Sequence, residues 1–169
     1  MCSLKNKKSI SLEKAKDYAF LLLKFRLRSE KELCSRLKKK NFGETIIKET
    51  LSFLKDKGFI DDKYFAKTWI ESRINKPLGI RRLKVELKTK GIDKEIIDSQ
   101  IEEIKKDYSE EDVVTKFAKE RLDKLKGIEP QKAKRRIFMY LLRRGFSPEV
   151  VIDIINQLWL QISKGRFSI

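Results

Sequence analysis

Lys31, Arg81 and Arg135 each stand two residues ahead of the apolar residue that opens a helical stripe, namely Leu33, Leu83 and Ile137. A cation on the solvent side of such a stripe has one obvious chemistry. It holds a phosphate or carboxylate by charge-assisted hydrogen bonds, and arginine does so with a two-pronged fork. Each of the three positions has basic company. Lys38 and Lys39 follow in the first segment, Arg82, Lys84 and Lys88 in the second, and Lys132, Arg136, Arg143 and Arg144 surround the third. Lys132, Arg135, Arg136 and Arg143 recur at helical spacing and form one stripe. These twelve residues are the candidate polyanion-binding set.

Other chemistries find little support. The chain has no histidine, which excludes histidine-based zinc sites and serine or cysteine triads. Its two cysteines, Cys2 and Cys34, make no disulfide framework, and Cys34 between Leu33 and Leu37 reads as a small buried thiol. The paired carboxylates Asp61-Asp62 and Glu102-Glu103 are consecutive on helices and lack a partner base, so capping and a solvated face account for them. No catalytic, cofactor-binding or metal-binding residue is expected, and the chain is not read as an enzyme. Tyr64, Trp69, Phe138 and Trp159 offer rings on which bases could stack, but their spacing favours core packing.

The elements that must position the cations form a repeat. Leu33, Leu37, Asn41 and Phe42 share their spacing with Leu83, Leu87, Gly91 and Ile92, and with Ile137, Leu141, Gly145 and Phe146. Asn41, Gly91 and Gly145 fall where a helix ends in a left-handed residue, a conformation glycine and asparagine tolerate. Beyond each cap, apolar residues recur at equal offsets: Ile46, Ile96 and Val150, then Leu51, Ile101 and Ile155, then Leu54, Ile104 and Leu158. Ahead of each basic helix lies another with an aromatic-alanine pair: Tyr18-Ala19, Phe65-Ala66 and Phe117-Ala118. The pattern predicts an all-α fold, an elongated curved array of three tandem three-helix (helix-turn-helix-like) repeats. The boundaries read as a flexible N-terminal extension over 1–11, repeats over 12–59, 60–107 and 108–162, and a tail over 163–169. Ser29 with Glu32 reads as a capping box, Asp61-Asp62 as a helix start, and Ser147-Pro148 as an N-cap followed by proline at the first helical position.

Charge is distributed unevenly along this frame. The formal net charge is +16. The middle segments 29–42, 79–92 and 131–146 carry +3, +4 and +6, whereas 93–107 in a third helix carries −3. A DNA-reading helix-turn-helix would place its third helix in the major groove, where an acidic face is repelled. The basic middle helices are expected to meet backbone rather than base edges, so recognition follows shape and charge. The apolar run Tyr18 to Leu23 is cut by Lys24 and Arg26, too short for a membrane span or a signal peptide. A monomer in the reducing cytoplasm, with no membrane partner, is expected.

The same residues carry a resemblance. The chain resembles the RecX family of regulators of the bacterial recombinase RecA over roughly residues 15 to 160. Arg28-Ser29-Glu30 with Glu32-Leu33 and Leu37 looks like the family's first-repeat signature, and Gly58-Phe59-Ile60-Asp61-Asp62 with Phe65-Ala66 like its second. Gly79 with Arg82, Glu86-Leu87 and Lys90-Gly91-Ile92 matches the central motif, and Arg143-Arg144-Gly145-Phe146 closes the third repeat. Asn41 replaces a usual glycine, and the basic N-terminal extension is not a family hallmark. The resemblance implies three tandem three-helix repeats and binding in the groove of the RecA–single-stranded-DNA filament. It further implies inhibition of ATP hydrolysis, strand exchange and co-protease activity, which places the chain in DNA recombination, DNA repair and the SOS response. The twelve cations would be the filament- and DNA-binding residues, with no cofactor, and duplex DNA remains open as a further ligand. The alternative is a sequence-independent nucleic-acid-binding helical repeat protein without a recombinase partner.

Overall fold

The computed structural model describes residues 2–74 and 76–163, with side chains from Ser11 onward. Met1, Asn75 and the tail 164–169 lie outside the described residues. Nine helices and no strand occur among those described. They are α1 (Cys2–Phe25), α2 (Glu30–Lys39), α3 (Glu44–Asp56), α4 (Asp62–Ile74), α5 (Ile80–Lys90), α6 (Lys94–Lys105), α7 (Glu110–Asp123), α8 (Pro130–Arg143) and α9 (Pro148–Ser163). The fold is all-α, with three tandem three-helix repeats. α1 reaches back to Cys2, through the segment read from sequence as a flexible extension.

Two compact units divide the chain, Met1–Trp69 with Leu87–Gln100 and Ile70–Glu86 with Ile101–Ile169, so the residues of the middle repeat are shared between them. In the first unit, Ala15 and Ala19 of α1, Leu33 and Leu37 of α2, and Ile46, Ile47, Leu51 and Leu54 of α3 form the core. The two alanines, fully buried one turn apart, keep the α1 surface thin so that neighbouring helices can approach it. The second unit repeats the plan with Val114, Ala118 and Leu122 of α7, Ala133, Ile137 and Leu141 of α8, and Val151, Ile154, Ile155 and Leu158 of α9. The alanines of all three aromatic-alanine pairs, Ala19, Ala66 and Ala118, are 0% exposed.

The middle helices end as their sequence requires. Asn41, Gly91 and Gly145 have φ of 60°, 84° and 86°. The next N–H in each case reaches back to the last core leucine: Phe42 to Leu37 O (3.3 Å), Ile92 to Leu87 O (3.1 Å) and Phe146 to Leu141 O (3.4 Å). This bond satisfies a carbonyl that the helix would otherwise leave orphaned.

Helix starts follow expectation less uniformly. Ser29 Oγ accepts from Glu32 N at 3.2 Å, but the Glu32 carboxylate does not return the bond and is taken by Arg26 and Lys90. The capping box is therefore only half formed. Asp61 and Asp62 divide their work. Asp61 caps α4 by accepting from Lys63 N (2.8 Å) and Tyr64 N (3.1 Å), while Asp62 accepts from Glu30 N (2.9 Å) at the start of α2. Ser147 accepts from Val150 N at 3.4 Å ahead of Pro148, as predicted. Glu129, not singled out in the sequence, caps α8 through Gln131 N and Lys132 N.

A recurrent joint lies inside each unit. In the first, buried Ser29 donates its hydroxyl to Lys90 O at 2.6 Å, so the head of α2 meets the tail of α5, and the Lys31 stem lies over Gly91. In the second, Gly79 N–H donates to Arg144 O at 2.9 Å, so the head of α5 meets the tail of α8. Ser29 and Gly79 hold the same register in their repeats. A Cβ on Gly145 would lie 2.6 Å from both Cβ and N of Arg82, and φ of +86° already penalises any side chain there. Gly58 has φ of +70° but open space around it. Gly145→Ala is expected to cost about 2 kcal/mol or more, and Gly58→Ala about 1 kcal/mol, because only the former adds a backbone collision to the left-handed penalty. Urea denaturation followed by circular dichroism checks the order, and equal losses would contradict it.

Candidate nucleic-acid interface

The twelve candidate cations fall into both units. Lys31, Lys38, Lys39 and Lys88 belong to the first, and Arg81, Arg82, Lys84, Lys132, Arg135, Arg136, Arg143 and Arg144 to the second. Lys31 and Lys39 line a hollow of about 190 Å³ in the first unit, with Arg28, Arg36 and Lys90. Glu32 sits in the same lining between two cations: Arg26 Nη1 at 2.9 Å and Lys90 Nζ at 2.6 Å. Burial pushes its carboxyl upward, but the hydrogen bonds from Arg26 and Lys90 outweigh burial and bring it down to about 2. Lys90 also lies 4.5 Å from the Trp69 ring, which holds the ammonium in place. Arg28 donates its Nε to Leu22 O at 3.2 Å; burial, then the nearby charges of Arg26 and Arg36, lower its pKa. That crowding of like charge is a place where an anion gains energy.

In the second unit, Arg81 and Arg82 are exposed and each faces a carboxylate: Arg81 lies 3.8 Å from Glu149, and Arg82 lies 3.7 Å from Glu86. Arg73 approaches the same Glu86 at 3.9 Å. Contacts this long from exposed arginines are weak and screened, so the arginines can exchange them for a stronger anion. Arg82, Arg143 and Arg144 line one hollow of about 590 Å³ with Tyr140.

A second hollow, of about 550 Å³, gathers Lys132, Arg135, Arg136 and Arg143 of α8 with Arg121 of α7, over Leu125 and Met139. No carboxylate lines it. Among the described residues no ion pair reaches Lys132, Arg135, Arg136 or Arg143. Pro130 and the Glu129 cap start α8 four residues ahead of Lys134, which lengthens the basic face by a turn. Lys38, Arg81, Lys84 and Lys88 line none of these hollows.

Sequence reading missed Arg26, Arg36, Lys90 and Arg121 as members of the linings. Arg36 had a signal, since Lys31, Ser35, Arg36 and Lys39 share a helix face. Arg121 had none, because α7 opens on Glu110, Glu111 and Asp112 and reads as an acidic helix. Of the four aromatics weighed for base stacking, only Tyr64 is exposed, and Trp69 stacks on Phe65 at 5.8 Å. The acidic pairs are structurally engaged: Asp61 and Asp62 hold helix starts, and Glu102 pairs with Lys105 at 2.8 Å. Among the described residues there is no group of three or more Cys, Asp or Glu placed to hold a metal, and no helix is long and apolar enough to cross a membrane.

Comparison with known proteins agrees with this architecture. Family models for the first, second and third three-helix domains of RecX match residues 15–54, 61–99 and 109–155. A regulatory protein RecX from Mycobacterium sp. (strain KMS) is 34% identical over 149 residues, covering 85% of this chain and 81% of the relative. One from Chlorobium phaeobacteroides (strain BS1) is 35% identical over 148 residues, covering 87% and 95%. The crystal structure of RecX from Lactobacillus salivarius superposes with a TM-score of 0.77 at 24% identity, covering 90% of this chain and 99% of that one, which places the two in one fold. The three-domain match and the relatives matched over most of their length together make this chain a member of the RecX family of regulatory proteins.

Proposed function

We propose that the chain is a non-enzymatic, cytoplasmic regulator that binds the RecA–single-stranded-DNA filament and inhibits its ATPase, strand-exchange and co-protease activities. The observation that carries this reading is the threefold recurrence of one basic helix, each copy closed by the same left-handed turn. Equivalent helices suit a target that itself repeats, as a filament does. The exposed cations supply attraction to the phosphates of the bound strand and to acidic surface on the recombinase. A protein that bridges neighbouring subunits resists the movements those subunits make in each cycle of ATP hydrolysis, so turnover slows without any chemistry by the bound chain.

Steady-state ATP hydrolysis by RecA on single-stranded DNA, with the chain added at stoichiometric amounts, tests the proposal. Inhibition is the expected result, and unaltered hydrolysis and strand exchange would refute it. Exchanging both Arg81 and Arg82 for glutamine should weaken the effect about tenfold, since two charge-assisted contacts are removed. Glutamine is preferred to glutamate because Glu149 and Glu86 would repel a reversed charge and disturb the second unit. Tight binding to bare strands with no effect on RecA would favour a plain nucleic-acid-binding module.

A further inference from the structure

We propose that the hollow between α7 and α8 seats the backbone of a single-stranded nucleic acid, and that this hollow supplies the chain's main grip on phosphate. The inference deepens the filament reading, on which it rests for the identity of the polymer. Its first support is the difference between the middle helices in counter-charge. Lys90 is bound to Glu32, while Arg81 and Arg82 face Glu149 and Glu86. The α8 stripe faces no carboxylate in its hollow, and only Arg143 also borders the neighbouring one that Glu86 lines, so little counter-charge competes with an incoming anion.

Spacing is the second support. Lys132 and Arg143 are separated by roughly 16 Å along a helix that rises 1.5 Å per residue. With Arg135, Arg136 and Arg121, five cations gather over about that length with no carboxylate among them, a density that suits a run of several phosphates. A peptide matches that density only if nearly every residue in the run is acidic. The hollow also has an apolar side that such a peptide would leave unused. Met139 is exposed among the cations with Leu125 beneath it, and a polarizable thioether suits the face of a sugar or base. Because the lining is concave, a flexible strand can enter where a stiff duplex would touch only the rim.

Arg121 is the preorganised member. Its guanidinium lies 5.0 Å from the Tyr140 ring, which has Arg144 at 5.3 Å as well. The Arg121 Nε is buried with no hydrogen-bond partner, so the terminal amino groups are what the side chain has left to offer. Little rotamer freedom remains to be lost when an anion binds.

Fluorescence anisotropy of the full chain with a short labelled oligothymidylate, over a range of salt, tests the proposal. Arg136→Ala with Arg143→Ala should weaken binding at least about tenfold and flatten the log–log salt slope by about 1.4, as expected for two lost single-strand phosphate contacts. Lys31→Ala with Lys39→Ala, in the first unit, should weaken it less than about threefold. Arg136→Lys with Arg143→Lys should keep the wild-type salt slope. Matched circular dichroism melts establish that each variant is folded. Equal losses for the two alanine pairs, or none for the first, would overturn the assignment. So would displacement of the strand by polyglutamate as readily as by unlabelled oligothymidylate, which would mark an acidic-peptide site. The parallel RecA ATPase assay separates the two readings. The expected pattern on bare strands without inhibition would sustain the hollow and refute the filament role, and inhibition without the pattern would do the reverse.

Discussion

Leu87→Asp is expected to abolish the cooperative unfolding of the middle repeat. Leu87 is fully buried, one turn after fully buried Leu83, and its carbonyl closes the α5 turn by accepting from Ile92 N. Truncating a buried leucine alone costs about 2–5 kcal/mol. A carboxylate left there without a partner adds about 3 kcal/mol or more, whether it stays ionised or takes up a proton to avoid doing so. The sum approaches the whole of the ~5–15 kcal/mol that holds a domain together. Leu87→Met, which nearly conserves volume, should cost less than about 1.5 kcal/mol. Far-ultraviolet circular dichroism against urea decides the matter, and an aspartate variant with a urea midpoint close to that of the parent would refute the assignment of α5 to the core.

The second large effect belongs to Glu32. Its carboxyl is held at about 2, against an ordinary 4.5, by Arg26 and Lys90; the Glu32 and Lys90 side chains are only 18% and 21% exposed, while solvent screens the 44%-exposed Arg26 more. That difference corresponds to roughly 3 kcal/mol at most, before the screening of Arg26 is discounted. A depressed folded-state pKa stabilises fully above the unfolded value and loses its contribution as pH falls through the folded one. The contribution from Glu32 is therefore complete at neutral pH, declines below about 4.5 and is gone near 2. Glu32→Gln should lose up to roughly 3 kcal/mol at pH 7, with the gap to the parent closing as the solution is acidified. Stability curves for parent and variant that run parallel from pH 7 to 2 would show that the pair stabilises nothing.

The helices were legible because burial imposes a 3.6-residue period, and Leu33, Leu37, Leu83 and Leu87 obey it without exception. The caps were legible because Asn41, Gly91 and Gly145 must adopt positive φ, which few residue types tolerate. What was hidden depended on residues far apart in the chain. The Ser29–Glu32 motif is a local rule, and it was half overridden by Lys90, a residue of the next repeat that local pattern cannot see. The basic character of the middle helices was equally plain, but not which cations already face a carboxylate. By sequence Glu86 is only part of the central motif and Glu149 only one of two acids in the last helix, yet they set Arg81 and Arg82 apart from the α8 stripe. Arg121 joins that stripe only through helix packing, and no spacing in the sequence announces it.

The joints also set the third repeat apart from the first two. Ser29 and Gly79 stand just ahead of their helices, where the hydroxyl of one and the amide of the other are available to a trailing carbonyl. The residue in the same register of the third repeat is Ala133, which lies within α8, buried in the core, its amide already spent on Glu129 O at 3.0 Å. It has no hydroxyl and no spare donor to extend to a further module. A latch of the Ser29 or Gly79 kind is therefore missing at this position of the third repeat.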